Sequence, residues 1–357
     1  MPDPIRVGLL GAGRATFMAH YRDAFPADVT LAGICDIRPA RADEAAARHG
    51  IARVYPTYEA MLDAPSIELV VVGTPDQQHA QQAIQAMEAG KHVLSEIPAA
   101  YEIAELQRLI DLEEKTNCKY AMANEVRWFP YLMAVKQMAQ DGFWGRVFHG
   151  AAGYLHNLRR DGWRLIEPET GEPHWRFDPR RPQTTFLGGG PHAFDTLRWL
   201  MDETNWVEVF AYGNVPYVPP HEEPGHAVAL LKSAGGAISQ IEVSYTLARP
   251  YCLYFSLYGD RGTFETSRTE FGGLFFTEQI PHMERMTPLG VPYAAKPRLH
   301  TGVHGTSEIE MTADLISAIR QNRRAAINAR EAARSIAPAI CALESLRTGR
   351  PVAIPQF

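Results

Sequence analysis

The chain has no CxxC pair: its four cysteines, Cys35, Cys118, Cys252 and Cys341, stand far apart. That argues against a zinc module and a disulfide scaffold, and it suits a reducing compartment. No apolar run approaches the ~20 residues that span a bilayer. The opening Met-Pro-Asp-Pro-Ile-Arg lacks a basic stretch leading into an apolar run and a cleavage site, so no signal peptide is expected and the chain reads as cytoplasmic. Positive charge is in short supply. The 35 lysines and arginines face 41 aspartates and glutamates, a net of −6 that gives no reason to expect a nucleic-acid partner. No internal repeat, low-complexity tract or long linker is evident. What remains is 357 residues, 46% hydrophobic and 21% charged, enough for a soluble protein of about two domains.

The first third alternates short apolar runs with helical patterns. Runs at 5–10, 30–35, 68–72, 91–95 and 119–123 read as strands, the third β-branched as a strand buried on both faces should be. Helical patterns lie at 39–49, with Pro39 early and Gly50 just past the end, at 77–89, with Asp76 placed to cap it and Gly90 closing it, and at 103–115. This alternation predicts a parallel, doubly wound sheet over residues 1–124. The pattern then changes. After a helix at 130–140, strand-like runs at 147–155, 207–212, 227–231, 237–245, 252–258 and 263–266 have no long helix between them, as neighbouring antiparallel strands do. Helical stretches near 307–320 and 329–347 close the chain. The interval 157–190 is rich in loop residues and proline, a pattern common in functional loops.

The first strand runs into Gly11-Ala12-Gly13-Arg14-Ala15-Thr16, and helical sequence follows. The first glycine suits a tight turn, and the second lets backbone approach a pyrophosphate. A second strand ends at Asp36, 25 residues after Gly11 and close to the expected ~20. A carboxylate there accepts hydrogen bonds from ribose hydroxyls and repels a 2′-phosphate, which favours NAD over NADP. Arg38 nearby is the group that would accommodate that phosphate. A turn glycine pair with a helix-capping aspartate is the plainer reading of these residues, and the strand–loop–helix context speaks against it. The next strand ends in Gly73-Thr74-Pro75, with His79 beyond, so Thr74, Pro75 and His79 should border the cofactor or, for His79, cap a helix.

Over nearly its whole length the chain resembles the glucose–fructose oxidoreductase / inositol dehydrogenase / MocA family. The resemblance rests on the glycine loop, the Gly73-Thr74-Pro75 turn, the segment from Gly90 through Glu96-Ile97-Pro98, the series Asn124, Arg127, Pro130, and Gly190-Pro191-His192-Ala193-Phe194-Asp195. It implies an α/β protein: a Rossmann domain at 1–124 and, at 125–357, a substrate-binding and oligomerisation domain with a large open mixed, mostly antiparallel sheet. A homo-oligomer, dimer or tetramer, follows from that likeness. So does nicotinamide-dependent chemistry on sugars and polyols, with Glu96, Ile97 and Pro98 beside the cofactor. Two departures stand out. The family commonly carries lysine where Ile97 stands, a group that contacts the reacting hydroxyl and assists proton transfer. It also often carries aspartate where Gly188 stands. A variant branch with a hydrophobic residue in place of lysine includes members linked to glycoside processing.

Of the usual catalytic trio only His192 is left, with an unperturbed pKa suited to acid–base work. Asp195, three residues on, could share a helical face with it and orient the imidazole, or cap a helix. Tyr154 and His156 alternate along one strand and so face the same way. Arg127, Tyr154, His156, Asp195 and His304 are the candidate substrate contacts. His156, His192 and His304 could in principle hold zinc, but their spacing gives that no support, and no metal is expected. Arg159, Arg160, Arg164, Arg176, Arg180 and Arg181 cluster in the proline-rich interval. Their forks fit an acidic sugar or a partner subunit, but a solvated loop balanced by Asp161, Glu167, Glu169, Glu172 and Asp178 is the simpler reading. Trp163 and Trp175 flank them, able to stack on a sugar or to act as packing anchors. Three functions follow: an NAD-dependent sugar or polyol oxidoreductase, a glycosidase that retains its NAD and oxidises the sugar transiently, and a nucleotide-binding protein without catalysis.

Overall fold

The computed structural model describes residues 3–158, 171, 174–178, 180, 183–202, 205–216, 224–266, 273–277, 284–286 and 307–357. They form two compact units, one built on 1–125 and 297–333, the other on 126–296 and 334–357.

The first unit is a five-stranded parallel sheet. Its strands are β1 (Ile5–Leu10), β2 (Val29–Cys35), β3 (Leu69–Val72), β4 (His92–Glu96) and β5 (Tyr120–Ala123), in the order β2-β1-β3-β4-β5. Val7, Leu9, Leu69, Val70, Val71 and Val72 have no exposed surface, as strands covered on both faces require. The register brings the carboxyl ends level: Leu10 pairs with Cys35 and Val72, Val72 with Ser95, and Glu96 with Ala123. Every sequence motif of this unit therefore emerges along one edge of the sheet.

The connecting helices include α1 (Met18–Ala24), α2 (Pro39–His49), α3 (Tyr58–Leu62), α4 (His79–Glu88) and α5 (Ile103–Lys115). Pro39 sits in the first turn of α2 and Gly50 ends it at φ +62°. A reciprocal capping box of Glu102 and Glu105 opens α5. Asp76, expected to cap α4, instead begins a 3-10 turn, Asp76–Gln78, that leads into it.

The chain returns to this unit near its end. Helix α9 (Ser307–Gln321) belongs here, with Ile309, Met311, Leu315 and Ile316 buried. Arg320 pairs with Asp28 at 2.6 Å. At the free edge of β5 the Met122 amide donates to the Ile327 carbonyl. Buried Glu113 accepts from the amides of Tyr120 and Ala329, tying α5 and β5 to this segment. A two-part division of the sequence at 124 cannot show this, because the covering helix is encoded some 180 residues beyond the strand it protects.

Among its described residues the second unit holds α6 (Pro130–Gln140), α7 (Thr185–Gly188), α8 (Gly190–Leu200) and nine strands: β6 (Val147–Leu155), β7 (Trp206–Pro216), β8 (Pro224–Ser233), β9 (Ile238–Ser244), β10 (Cys252–Gly259), β11 (Gly262–Thr266), β12 (Gly273–Thr277), β13 (Glu284–Met286) and β14 (Val352–Ala353). Helix α10 (Ala329–Thr348) starts in the first unit and continues into this one. The strand order is β13-β12-β11-β10-β6-β9-β8-β7-β14. The expectation of sequential antiparallel neighbours needs correction at one place: β6 lies between β9 and β10 and runs parallel to β9. Every other pairing is antiparallel. One face of the sheet is covered by α8, so closely that a side chain at Gly150 would meet Met201 and Leu197. Among the described residues no helix is long and apolar enough to cross a membrane.

Candidate active site

In the first unit the glycine loop leaves β1 with Gly11 at φ +98°, a left-handed conformation that side chains disfavour. A Cβ at Gly11 would stand 2.7 Å from the Gly73 carbonyl oxygen, and one at Gly73 only 2.4 Å from the Ala15 amide nitrogen. The ends of β1 and β3 and the turn Arg14–Phe17 thus interlock backbone to backbone. A Cβ at Gly13 would meet nothing within 4 Å, so the loop is open there for a phosphate to approach. Asp36, just past β2, accepts the Ala12 amide through Oδ2 and the Arg38 amide through Oδ1, each at 2.8 Å. Each oxygen keeps a second lone pair for a ribose hydroxyl. The cradle and the acid fit a dinucleotide.

His79 departs from expectation. It neither caps a helix nor presents itself at the surface: it is 2% exposed, with Nε2 at 2.9 Å from the Thr74 carbonyl and Nδ1 at 3.2 Å from the Pro98 carbonyl. Burial pushes its pKa down, which keeps the ring neutral. The neutral ring carries one N–H, so it donates to one of these carbonyls and packs against the other, between the Thr74-Pro75 turn and the Ile97-Pro98 turn, where the Ile97–Pro98 peptide bond is cis. Thr74 is held in turn by its hydroxyl on Gln82.

Arg14 joins Glu96 and Glu308. Its Nε donates to Glu96 Oε1 at 2.8 Å, and its Nη1 lies 2.8 Å from Glu308 Oε1. Glu125 contributes its field to the same group. Burial is the largest cause that pushes the Glu96 carboxyl up, to about 7. Arg14 opposes that shift, while Glu125 and Glu308 add to it.

In the second unit the rings of Tyr154, His156, His192, Tyr245 and Tyr251 gather at one end of β6. Tyr154 Oη lies 3.0 Å from His156 Nδ1. Its ring stacks on that of His192, with centroids 5.9 Å apart and planes at 22°. Tyr251 stands edge-on to His156 at 4.9 Å. Buried Tyr245 accepts the Gly189 amide through its hydroxyl and donates to the Thr185 carbonyl. This packing accounts for the glycine run. A Cβ at Gly188 would be 2.5 Å from the Tyr245 hydroxyl, and one at Gly189 would be 2.2 Å from the Tyr154 ring. The space for an aspartate at 188 is filled by Tyr245 and Gln183.

Arg127 and Asp195 have a different geometry from that expected of substrate contacts. Asp195 is fully buried and Arg127 is 5% exposed. Arg127 Nε donates to Asp195 Oδ2 at 2.7 Å and its Nη2 donates to Oδ1, which also accepts the Ser335 hydroxyl at 2.6 Å. The carboxylate expected to orient His192 is thus committed to a buried ion pair that ties α8 to Arg127. His304 lies outside the described residues, as do Arg159, Arg160, Arg164, Arg181 and Trp163. Of the loop arginines that are described, Arg180 forms a bidentate pair with Asp178, and Arg176 sits over the Trp175 ring at 4.0 Å. Among the described residues no three metal-ligating groups converge.

Sequence reading missed Glu125, Glu308, Tyr245 and Tyr251. Glu308 lies 212 residues from Glu96, and no local pattern marks that pairing. Tyr245 carried a weak signal, as the last residue of a strand-like run.

The oxidoreductase family with an NAD-binding Rossmann fold matches residues 5–124, and the GFO/IDH/MocA C-terminal domain matches residues 132–265. A glycosyl hydrolase family 109 protein of Shewanella sp. (strain W3-18-1) is 32% identical over 290 residues, spanning 73% of this chain and 62% of that protein. An alpha-N-acetylgalactosaminidase of Shewanella oneidensis is 26% identical over 289 residues, with the same shares. The chain therefore spans only 62% of the length of these curated relatives. Levoglucosan dehydrogenase in complex with NADH and L-sorbose has the same fold, with a TM-score of 0.85 at 23% identity over 100% of both chains.

Proposed function

Because the chain belongs to the Gfo/Idh/MocA oxidoreductase family, with its NAD-binding Rossmann domain, we propose that it transfers a hydride at a hydroxyl-bearing carbon of a sugar, glycoside or cyclic polyol, with His192 as acid–base. NAD, when bound, supplies the hydride acceptor and donor. Gly11, Gly13 and Asp36 would hold it. Ile97 has no atom able to take a proton, so the hydroxyl proton must leave by another group. The observation that carries the reading is the contact of His192 with the hydrogen-bonded Tyr154–His156 pair. An imidazole takes the proton near neutral pH, and a phenol bonded to a second imidazole orients or relays it.

A second reading is favoured by the names of the curated relatives, which are glycosidases. Transient oxidation at C3 of a glycoside acidifies its C2 proton. Elimination then expels the aglycone, water adds, and reduction restores the sugar. The chemistry needs the same proton-handling groups and no net oxidant.

One assay separates the readings. The chain is mixed with NAD and a panel of sugars and aryl glycosides, and both NADH absorbance and free aglycone are followed. Net NADH supports the first reading, and aglycone release without net NADH supports the second. Silence on both, with NAD still bound, sinks both. His192→Ala is expected to lower kcat of whichever activity appears by roughly 100-fold or more; an unchanged kcat removes His192 from the mechanism.

Assembly belongs to the same proposal. The sheet face opposite α8 exposes Tyr212 (70%), Leu230 (47%) and Ile238 (53%) on the adjacent strands β7, β8 and β9, with Glu208, Lys232 and Gln240 among them on the same face, a mixed surface suited to a second copy of the chain. Light scattering is expected to show a homo-oligomer that Leu230→Glu converts to monomer, and a monomeric parent chain overturns this.

A further inference from the structure

Arg14 directly follows the second glycine of the nucleotide loop, and three carboxylates surround its guanidinium. They come from three elements: Glu96 from the end of β4, Glu125 from the turn after β5, and Glu308 from the first turn of α9. Glu96 is 8% exposed, Glu125 1% and Glu308 2%. One guanidinium, 40% exposed, thus faces three buried carboxyl groups, so acidic groups outnumber the cation in the cluster. His79 of α4, whose pKa burial pushes down, is a further titratable group near Glu96, with Asp76 beside it.

Sheet topology says which part of the cofactor this charge faces. Asp36 at the end of β2 marks the adenosine end, and the glycine loop after β1 takes the pyrophosphate. In the order β2-β1-β3-β4-β5 a dinucleotide continuing in the same direction passes β3 and brings its second mononucleotide toward the end of β4, where Glu96 stands. Oxidised and reduced nicotinamide differ by one positive charge on that ring.

We propose that Glu308 is a positioning residue of the dinucleotide site, holding Arg14 against Glu96 so that the buried negative charge of the cluster favours oxidised over reduced cofactor. The inference rests on NAD binding alone, so failure of the sugar assays leaves it standing and its own failure leaves them standing.

The structure supports a charge effect distinct from simple bracing. Ionised Glu96 adds to the negative field and protonated Glu96 does not. With its carboxyl raised to about 7, the preference for NAD+ over NADH should grow as pH rises through neutrality. Removing the Glu308 charge relieves repulsion on Glu96, so this step should move to lower pH. A purely structural role would not move it.

The test measures Kd for NADH by its fluorescence, and Kd for NAD+ by competition, on the full chain and on Glu308→Gln. The glutamine keeps the shape and loses the charge. At about pH 8.5, where Glu96 is ionised in both proteins, E308Q is expected to weaken NAD+ relative to NADH by about tenfold, the scale of one elementary charge at partly screened distance. Equal weakening of both forms, or an unchanged ratio, overturns the proposal. If E308Q does not fold, Glu125→Gln removes one charge from the same cluster and is read by the same ratio, with an unchanged value again overturning it.

Discussion

Replacing Gly11 with alanine is expected to raise the Kd for NAD at least ~100-fold. Two costs combine. The residue sits at φ +98°, where a β-carbon costs roughly 1–2 kcal/mol against the carbonyl that follows. The new carbon would also stand 2.7 Å from the Gly73 carbonyl oxygen, a backbone atom that no rotamer change can move away. Relief requires β1 and β3 to part at their carboxyl ends. Gly73 is itself packed onto Ala15, so parting moves the turn that follows the loop as well. The opening over Gly13 and the position of Asp36, whose Oδ2 is tied to Ala12, shift with it. Titration calorimetry with NAD checks this, and a Kd within a factor of about three of the parent's would show that the loop is not where the cofactor's phosphates rest.

Asp195→Ala is expected to destabilise the second unit by about 3–5 kcal/mol, because it strands the Arg127 guanidinium in a place sealed from water. Ser335 loses its acceptor in the same step, and Ser335 is the group that accepts from buried Arg198. Removing the cation instead, by Arg127→Ala, leaves the carboxylate unpaired at similar cost. The double replacement Arg127→Met with Asp195→Leu exchanges the pair for apolar volume and is expected to recover most of the loss. Urea denaturation of the three variants measures this. A loss under about 1 kcal/mol in Asp195→Ala, together with failed catalysis, would restore Asp195 to the role of substrate contact.

The nucleotide site of the first unit was legible because its parts are local. A tight turn, an open glycine and an acid at the end of the next strand each leave a mark within a few residues, and a parallel register then aligns them without further instruction. Tyr154 and His156 could be set on one face by strand alternation alone. The stacking of Tyr154 on His192 could not, because it depends on α8 lying across β6. The motif that carries His192 and Asp195 looked like one functional patch. In the fold its two polar residues part: His192 reaches the aromatic cluster, while Asp195, three residues further along the helix, is committed to Arg127 and Ser335.

By itself the sequence determined the strand–helix alternation of the first unit, the succession of strands in the second and the cofactor loop, all of them written in short-range periodicity or in single residues. Only the tertiary structure decided where buried charge goes. It placed β6 between β9 and β10, returned α9 to the first sheet, brought Glu308 to Arg14 and shut Asp195 away with its arginine. The physical reason is the cost of burying an ion alone: each of these charges must find a counter-charge or hydrogen-bond partner, and the partner comes from whichever distant segment the packing of apolar faces brings alongside.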